Sequence, residues 1–431
     1  MRRGVLLCLS FMLLFSLALT GQTVSGTIQG IVTDASGAAL PGVTVTIRDQ
    51  DTGFQRVVVT NENGAFSAPF VPIGKYTLRA ELAGMNPSEK SNVDVGLNHT
   101  RVVDFKLGVS GVAETITVTA EEPRINQVNA EIKATLTEVE IIDKPSPPAN
   151  SQAGFLSLAE TFAGFQENPT SGQNNPTASS GSSINFGGGT RGATFQINGV
   201  NNDDSSENQH RQGVTLSAIK EFQVLTSNYS AEFGRGYGAV VLVQTKQGTN
   251  DWSGDFFGFR SDAQWNEKSY FNRAQPKAKN VREQYGLTSG FPILRDRLFG
   301  FVSYEENRYE GPAFRNVDIF TPAELAMPRL TRGNDTPANR AFIEDILSRF
   351  PKEAPNNPAI GARGYSRASN IDQPDDDYSL RVDWDASLRH HLTTRYQGSS
   401  QLRSRDEVII GENAIQDNKQ SNFGLTWTQV F

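Results

Sequence analysis

Residues 378–388 read YSLRVDWDASL, and this stretch carries the clearest fold signal in the chain. Successive side chains of a β-strand point to opposite faces, so strict alternation of apolar and polar residues predicts a strand with two different faces. The apolar face is formed by Tyr378, Leu380, Val382, Trp384, Ala386 and Leu388, and the polar face by Ser379, Arg381, Asp383, Asp385 and Ser387.

Five further stretches on both sides of this one show a similar but less regular alternation. Strands of about ten residues that are apolar on one face and polar on the other are typical of a β-barrel crossing a membrane. The turns 294–297 and 387–391 are short, whereas 309–377 is long, polar and rich in proline, with a helix predicted at 338–350. Residues 251–431 are therefore predicted to form the first strands of an outer-membrane β-barrel with a long outer loop at 310–375. The other predicted strands are 252–260, 284–293, 298–308, 392–400 and 422–431.

The number of predicted strands has a consequence for the extent of the chain. Six strands cannot close a membrane barrel, for which about eight are needed. An open strand edge in lipid would leave backbone groups without hydrogen-bond partners. We therefore expect the sequence to be the N-terminal part of a larger protein with an incomplete barrel.

The composition excludes some function classes. The net charge is −7, and the basic residues are interspersed with acidic ones, so we expect no nucleic-acid partner. The mean hydropathy of −0.41 fits a soluble protein and a β-barrel equally well. No catalytic constellation and no metal-ligand set can be read from the sequence, so we expect neither an enzyme nor a cofactor.

The N-terminus has the pattern of a secretory signal peptide. A basic start at Met1-Arg2-Arg3 precedes an apolar run from Val5 to Leu19, which is shorter than the roughly 20 residues of a membrane-spanning helix. Residues 1–21 are predicted to be removed, and the single cysteine of the chain, Cys8, would be removed with them.

Residues 24–108 are predicted to form a β-sandwich, because short alternating strands follow one another with Gly- and Asn-containing turns between them. The segments Gly30–Asp34, Leu40–Val45, Asn63–Phe66 and Gly74–Leu78 resemble the carboxypeptidase regulatory-like domain. In that family the sandwich is a structural appendage without catalytic residues.

Residues 125–247 are predicted to form an α+β domain that contains an ordered series of short motifs. The series TFQINGV (194–200), AIKEFQVL (218–225), YSAEFGR (229–235) and GAVVLVQTKQG (238–248) resembles the end of the plug domain in TonB-dependent outer-membrane transporters, and especially their Oar-like branch. The resemblance implies a mainly β protein composed of a sandwich, a plug and a barrel. The plug-motif residues that it marks are Asn198, Gly199, Glu221, Tyr229, Glu232, Gly234, Arg235 and Gly238.

Residues 109–124 are predicted to link the sandwich to the plug. Within them the β-prone run Glu114, Thr115, Ile116, Thr117, Val118, Thr119 and Ala120 resembles a TonB box. Such a segment is captured by a TonB-type energy-coupling protein through strand addition. An ordinary linker strand that continues from the sandwich is the alternative interpretation.

The resemblance implies energy-coupled uptake of a nutrient across the bacterial outer membrane, with the plug gated by a pull on residues 114–120. The implied partners are outer-membrane lipid, the energy-coupling protein and a nutrient ligand, for which a large organic molecule such as an oligosaccharide is favoured. One alternative is a surface adhesion or structural protein that uses the barrel as an anchor. A soluble secreted hydrolase with β accessory domains is a second.

Overall fold

The structure is a computed structural model, and the predicted signal peptide (1–21) and the segment 114–120 lie outside the residues that it describes. These residues are 25–109, 132–143, 154–162, 164–167, 184–186, 193–203, 210–231, 233–234, 238–265, 267, 281–325, 334–405, 408–409 and 414–430.

The N-terminal residues form the predicted β-sandwich. Its strands are β1 Gly26–Asp34, β2 Thr44–Asp49, β3 Gln55–Val59, β4 Ala65–Val71, β5 Gly74–Glu81, β6 Ser88–Val95, β7 Thr100–Val102 and β8 Phe105–Leu107. One sheet has the strand order β4-β1-β7, with β8 also paired to β1, and the other has the order β3-β2-β5-β6.

Alternation in the strands builds the core of the sandwich. Apolar residues at every second position of β1, β2 and β5 are fully buried between the sheets, among them Ile28, Ile47 and Leu78. Gly30 has to be glycine, because a Cβ atom there would lie 2.0 Å from the carbonyl oxygen of Val103. This close approach lets β1 pair with chain segments on both of its sides.

Residues 132–245 contain a central domain built on a mixed sheet. Its strand order within the described residues is β13-β12-β15-β14-β9; β12 and β15 are parallel and the other pairs are antiparallel. The strands are β9 Ile132–Thr137, β10 Phe165–Glu167, β11 Ile184–Phe186, β12 Ala193–Ile197, β13 Val200–Asn201, β14 Ile219–Ser227 and β15 Ala239–Thr245. β10 and β11 pair separately. A helix at Glu138–Asp143 and 3-10 helices at Gly154–Thr161 and Leu216–Ala218 complete the domain.

The C-terminal residues form an antiparallel sheet in which each described strand pairs with the next one in sequence. The strands are β16 Ser253–Asp262, β17 Val281–Leu294, β18 Leu298–Asp318, β19 Gly364–Ser387, β20 His390–Arg405 and β21 Ala414–Gln429. Within the described residues β16 and β21 are the two ends of an open sheet, so the barrel is not closed.

The side chains of residues 378–388 lie on an exposed and a buried face, as the alternation predicted. Leu380 and Trp384 are 44% and 46% exposed on the outer face, whereas Arg381 and Asp383 are 4% and 3% exposed on the inner face. Outer side chains of β21, such as Phe423 and Trp427, are also exposed. A sheet with an apolar outer face and a polar inner face fits a membrane barrel.

The predicted outer loop 310–375 contains strands that the sequence did not indicate. β18 and β19 pair continuously from Leu298↔Trp384 to Asp318↔Gly364, so residues 310–318 and 364–375 of the predicted loop form a two-stranded ribbon. Beyond the membrane both faces of a ribbon meet water, so the apolar alternation that marks a strand is no longer required there. The connection 319–363 contains helices at Pro322–Leu325 and Pro337–Ser348 and a 3-10 helix at Pro358–Ile360. A further 3-10 helix follows β16 at Ala263–Trp265.

Among the helices that the structure describes, none combines the length and the apolar character required to cross a membrane.

Candidate functional site

Asn198 and Gly199, two of the predicted motif residues, form the turn between β12 and β13. Both have positive φ values, +49° and +75°, which a two-residue hairpin turn of this kind requires. The Asn198 side chain also joins the turn to β15: its Nδ2 donates to Thr245 Oγ1 at 2.8 Å, and Thr245 N donates to its Oδ1 at 2.8 Å. The turn thereby fixes the end of β15, where the chain leaves the central domain for the barrel.

Glu221 lies on β14, on the face that meets the sandwich. Its Oε2 accepts a hydrogen bond of 2.9 Å from the backbone N–H of Leu97, which belongs to the loop between β6 and β7. Burial raises the pKa of Glu221 to about 7, although the Leu97 N–H favours the ionised form. Glu221 therefore contacts another domain instead of serving only the fold of its own sheet.

The other predicted motif residues occupy the connection between β14 and β15. Tyr229 packs against the apolar cluster that includes Leu97 and Val240, and Gly234 and Gly238 lie further along the same connection. Glu232 and Arg235 fall outside the described residues, so their assigned roles stay predictions. Among the described motif residues, Asn198 and Glu221 lie toward the same end of the sheet, because they contact Thr245 and the neighbouring Gln244 of β15.

Arg381 of β19 joins the barrel to the end of the central domain. Its guanidinium donates to the carbonyl oxygen of Thr245 at 2.7 Å and to Gln247 Oε1 at 3.1 Å. A third bond, of 2.9 Å, goes to Asp383 Oδ1 on the same strand. Both charged side chains are almost fully buried. The ion pair and its hydrogen bonds fix the exit of β15 against the inner face of the barrel sheet.

Two further contacts connect the central domain with the last described strands. Gln397 of β20 donates a hydrogen bond to the carbonyl oxygen of Gly213. A Cβ atom at Gly424 of β21 would lie 2.8 Å from Val200, so the β12–β13 hairpin touches the barrel sheet there. The central domain thus contacts β19, β20 and β21 on the inner side of the sheet.

The sandwich contacts the barrel through its turn between β2 and β3. The backbone N–H of Asn250, just before β16, donates to the carbonyl oxygen of Asp51 at 2.9 Å. A Cβ atom at Gly53 would lie 2.4 Å from Asp296 in the β17–β18 turn. The Phe54 ring meets the His391 ring edge-on with 6.2 Å between centroids.

A polar cleft of about 540 Å³ lies where the three units meet. Lys246 is the central charge in its wall, with Nζ 2.8 Å from Glu138 Oε1 and 3.6 Å from Asp255 Oδ2. Among the described residues no group of His, Cys, Asp or Glu has an arrangement suited to a metal ion. Glu138 pairs with Lys220 as well as with Lys246, and most of the other lining residues are uncharged.

The sequence marked Glu221 as a motif residue, but it predicted no contact between the units. Arg381 and Asp383 carried a signal, because alternation put them on the polar face of their strand. Leu97 carried none, since it reads as an ordinary loop residue of the sandwich. The contact between Leu97 and Glu221 depends on the three-dimensional arrangement of two units separated by 124 positions in sequence.

Comparison with protein families matches two parts of the chain. Residues 27–108 match the model of the carboxypeptidase regulatory-like domain. Residues 244–431 match the model of an outer membrane beta barrel domain. The two matches coincide with the sandwich and with the open antiparallel sheet.

Similar proteins were found among both curated proteins and solved structures. The TonB-dependent transporter Oar of Myxococcus xanthus is 28% identical over 299 residues, which cover 65% of this chain and 26% of that protein. The chain thus spans about a quarter of this relative's length. The outer membrane transporter YddB from Escherichia coli aligns with a TM-score of 0.46 and 13% identity over 70% of this chain and 39% of its own. The siderophore receptor PirA from Acinetobacter baumannii aligns with a TM-score of 0.34 and 15% identity over 68% and 44%. With a carboxypeptidase regulatory-like domain at residues 27–108 and an outer membrane beta barrel domain at residues 244–431, the chain is an outer-membrane protein related to the TonB-dependent transporters.

Proposed function

We propose that this chain is part of a transporter that takes up a nutrient across the outer membrane, driven by a TonB-type energy-coupling protein. In this proposal residues 125–247 are the plug of the barrel. The observation that carries it is the attachment of the central domain to the polar inner face of the barrel sheet, through Arg381 and Gln397. The similarity to a TonB-dependent transporter over 299 residues supports the same assignment.

The gating step would begin at residues 114–120. This segment precedes β9, which is an edge strand of the central sheet within the described residues. A pull on the segment would therefore act first on β9, and an edge strand can leave a sheet without separating two other strands. The coupling protein would capture the segment by strand addition, which uses backbone N–H and C=O groups.

The transport cycle requires binding and rearrangement and no covalent chemistry, so we propose that the chain is not an enzyme. The substrate would bind at the outer loops and at the plug surface below them. A large organic nutrient, an oligosaccharide or a peptide, is our favoured class. An adhesion protein that used its barrel only as an anchor would not require a central domain attached to the inner face of the barrel sheet.

Binding of the coupling protein tests the proposal directly. A peptide of residues 110–124 is titrated into the periplasmic domain of the coupling protein by calorimetry. We expect saturable binding, and we expect Val118→Pro to abolish it because proline lacks the backbone N–H needed for strand pairing. A wild-type peptide that does not bind contradicts the coupling mechanism.

Growth of a deletion strain tests transport itself. The strain is complemented with the full-length gene or with a version whose residues 114–120 are replaced by a Gly/Ser segment of equal length. Both complemented strains are grown on panels of oligosaccharides and peptides as sole carbon sources. Blotting of the outer-membrane fraction checks that the two strains contain equal amounts of the protein. Equal growth of both strains on every nutrient that needs the gene argues against energy-coupled uptake and favours adhesion.

A further inference from the structure

The loop between β6 and β7 joins the sandwich to the central sheet, and we call residues 96–99 the docking loop. Leu97 is 1% exposed although it lies in a loop, because its side chain is inserted into an apolar pocket of the central domain. The pocket is formed by Leu225, Phe233, Val240 and Leu242, with Ile73 and Tyr229 at its margin. Removal of this leucine side chain from water stabilises the contact between the loop and the central domain.

The docking loop is held in its shape by the sandwich itself. The backbone N–H of Asn98 donates to the carbonyl oxygen of Ser25 at 3.2 Å, and that of Thr27 donates to the carbonyl oxygen of His99 at 2.9 Å. Asn98 has a φ of +45°, which asparagine tolerates better than most residues. A loop fixed in this way loses little conformational freedom when it docks.

Polar contacts connect the docking loop to β14 and β9 at the same time. Gln223 Nε2 donates to the carbonyl oxygen of Leu97 at 3.1 Å and to Thr135 Oγ1 of β9 at 3.0 Å. Lys133 Nζ of β9 donates to the carbonyl oxygen of Asn98 at 2.7 Å. The docking loop is therefore bonded to a side chain of the edge strand β9 and to a side chain of the neighbouring strand β14.

β9 has few attachments of its own. Of its six side chains only Leu136 is buried, and Ile132 at its start is 59% exposed. Within the described residues β9 pairs with β14 alone. A short edge strand with one buried side chain opens readily unless another element holds it.

We propose that the sandwich is a brace for the edge strand β9: docking of Leu97 and the bonds to Gln223 and Lys133 stabilise the pairing of β9 with β14, and loss of either contact releases the other. The inference rests on the proposed function only for its consequence, which is that a pull through β9 also releases the docking loop from the central sheet. The coupling between the two contacts is a property of the resting protein and is reciprocal.

Hydrogen exchange measured by mass spectrometry on the full-length protein in outer-membrane vesicles tests the brace. Leu97→Asp places a charge in the apolar pocket and should detach the docking loop. We expect the amides of residues 132–137 to exchange at least about tenfold faster, while the sandwich strand β5 and the barrel strand β19 are unchanged. Val59→Asp is the matched control, since Val59 is 60% exposed on the same domain.

A second variant tests reciprocity without touching the sandwich. Leu136→Ala weakens β9 from the opposite side of the sheet, and we expect faster exchange at Leu97 of the docking loop. Lys133→Met, which removes the bond to Asn98 and leaves both folds intact, should act in the same direction.

Two outcomes overturn the inference. One is a Leu97→Asp protein whose docking loop is exposed while β9 exchanges at its original rate. The other is a docking loop that stays protected in Leu97→Asp, Leu136→Ala and Lys133→Met alike. Neither outcome depends on transport or on the coupling protein, so failure of the brace and failure of the proposed function are distinguishable.

Discussion

Replacing Glu221 by glutamine should abolish a pH dependence of sandwich docking. The carboxyl group lies under the docking loop and is 7% exposed. Its pKa is raised from 4.5 to about 7, mainly by burial and to a smaller extent by the charge of Asp94 on β6. The Leu97 N–H, Lys133 on β9 and Lys220 on β14 act in the opposite direction. Undocking returns the carboxyl group to water and its pKa toward 4.5.

The raised pKa means that the docked state binds the proton more tightly than the undocked state. The resulting stabilisation is fully present below pH 4.5 and is lost as the pH rises through about 7. Between pH 5 and pH 8 the free energy of docking should weaken by about 2.5 kcal/mol, which is roughly a 70-fold change in the docking equilibrium. Glutamine keeps the acceptor oxygen and cannot ionise.

The assay is hydrogen exchange of the Leu97 amide, corrected at each pH for the intrinsic exchange rate. We expect the protection factor of the wild-type protein to fall by roughly 70-fold from pH 5 to pH 8 and that of Glu221→Gln to stay constant. Glu62→Gln, in an exposed turn of the sandwich, serves as the control and should follow the wild type. A wild-type protection factor that is independent of pH, or a Gln variant that changes in parallel with it, refutes the reasoning.

Three other predictions concern the joints of the structure. Asn198→Ala should destabilise the central domain by about 2–4 kcal/mol, because it removes both hydrogen bonds to Thr245 and strains a positive φ. Asn198→Gly should cost less, because glycine adopts a positive φ without strain. Equal hydrogen-exchange rates in β12 for the two variants would contradict this prediction. Arg381→Met should cost about 3–5 kcal/mol, because Asp383 stays buried without its cationic partner and keeps the hydrogen bond from Thr393 Oγ1. The temperature at which the barrel unfolds, read from its mobility in gels, should fall, and adding Asp383→Asn should restore part of it. Gly30→Ala should unfold the sandwich while the barrel stays folded. Wild-type hydrogen-exchange protection of β1 in this variant would refute the close approach of Gly30 to Val103.

The sequence predicted best those features that depend on one strand at a time. Alternation in 378–388 is enough to divide its side chains between hydrocarbon and the inner face, and Trp384 and Arg381 lie where it puts them. The ribbon formed by β18 and β19 was missed because its outer half lacks that alternation and includes Pro312 and Pro374, which read as loop residues. Pairing with one neighbour through the backbone is sufficient to keep such a segment extended.

Contacts between units could not be predicted, for a different physical reason. Glu221 reads as one residue of a plug-like motif, and nothing in its neighbourhood indicates a partner 124 positions away. Such contacts depend on the shape of two finished surfaces. The sequence contains the chemistry of each surface, namely an acceptor on β14 and an apolar side chain in a sandwich loop, but not their orientation.

The first and the last described strands of the central domain in sequence, β9 and β15, are held in different ways, and this difference sets the order in which they would separate under a pull. At the β15 end, Arg381 makes buried, charge-assisted hydrogen bonds to Thr245 and Asp383, and the chain continues covalently into β16. At the β9 end, backbone pairs with β14 and the side chains of Gln223 and Lys133 hold an edge strand with one buried residue. β15 instead lies between β12 and β14, and buried charge-assisted bonds hold its exit. Force applied before β9 should therefore detach that strand while the β15 exit stays fixed to the barrel wall. The docking loop contacts β9 and β14 and would be released with β9. The contacts of Asp51, Gly53 and Phe54 would keep the rest of the sandwich on the barrel.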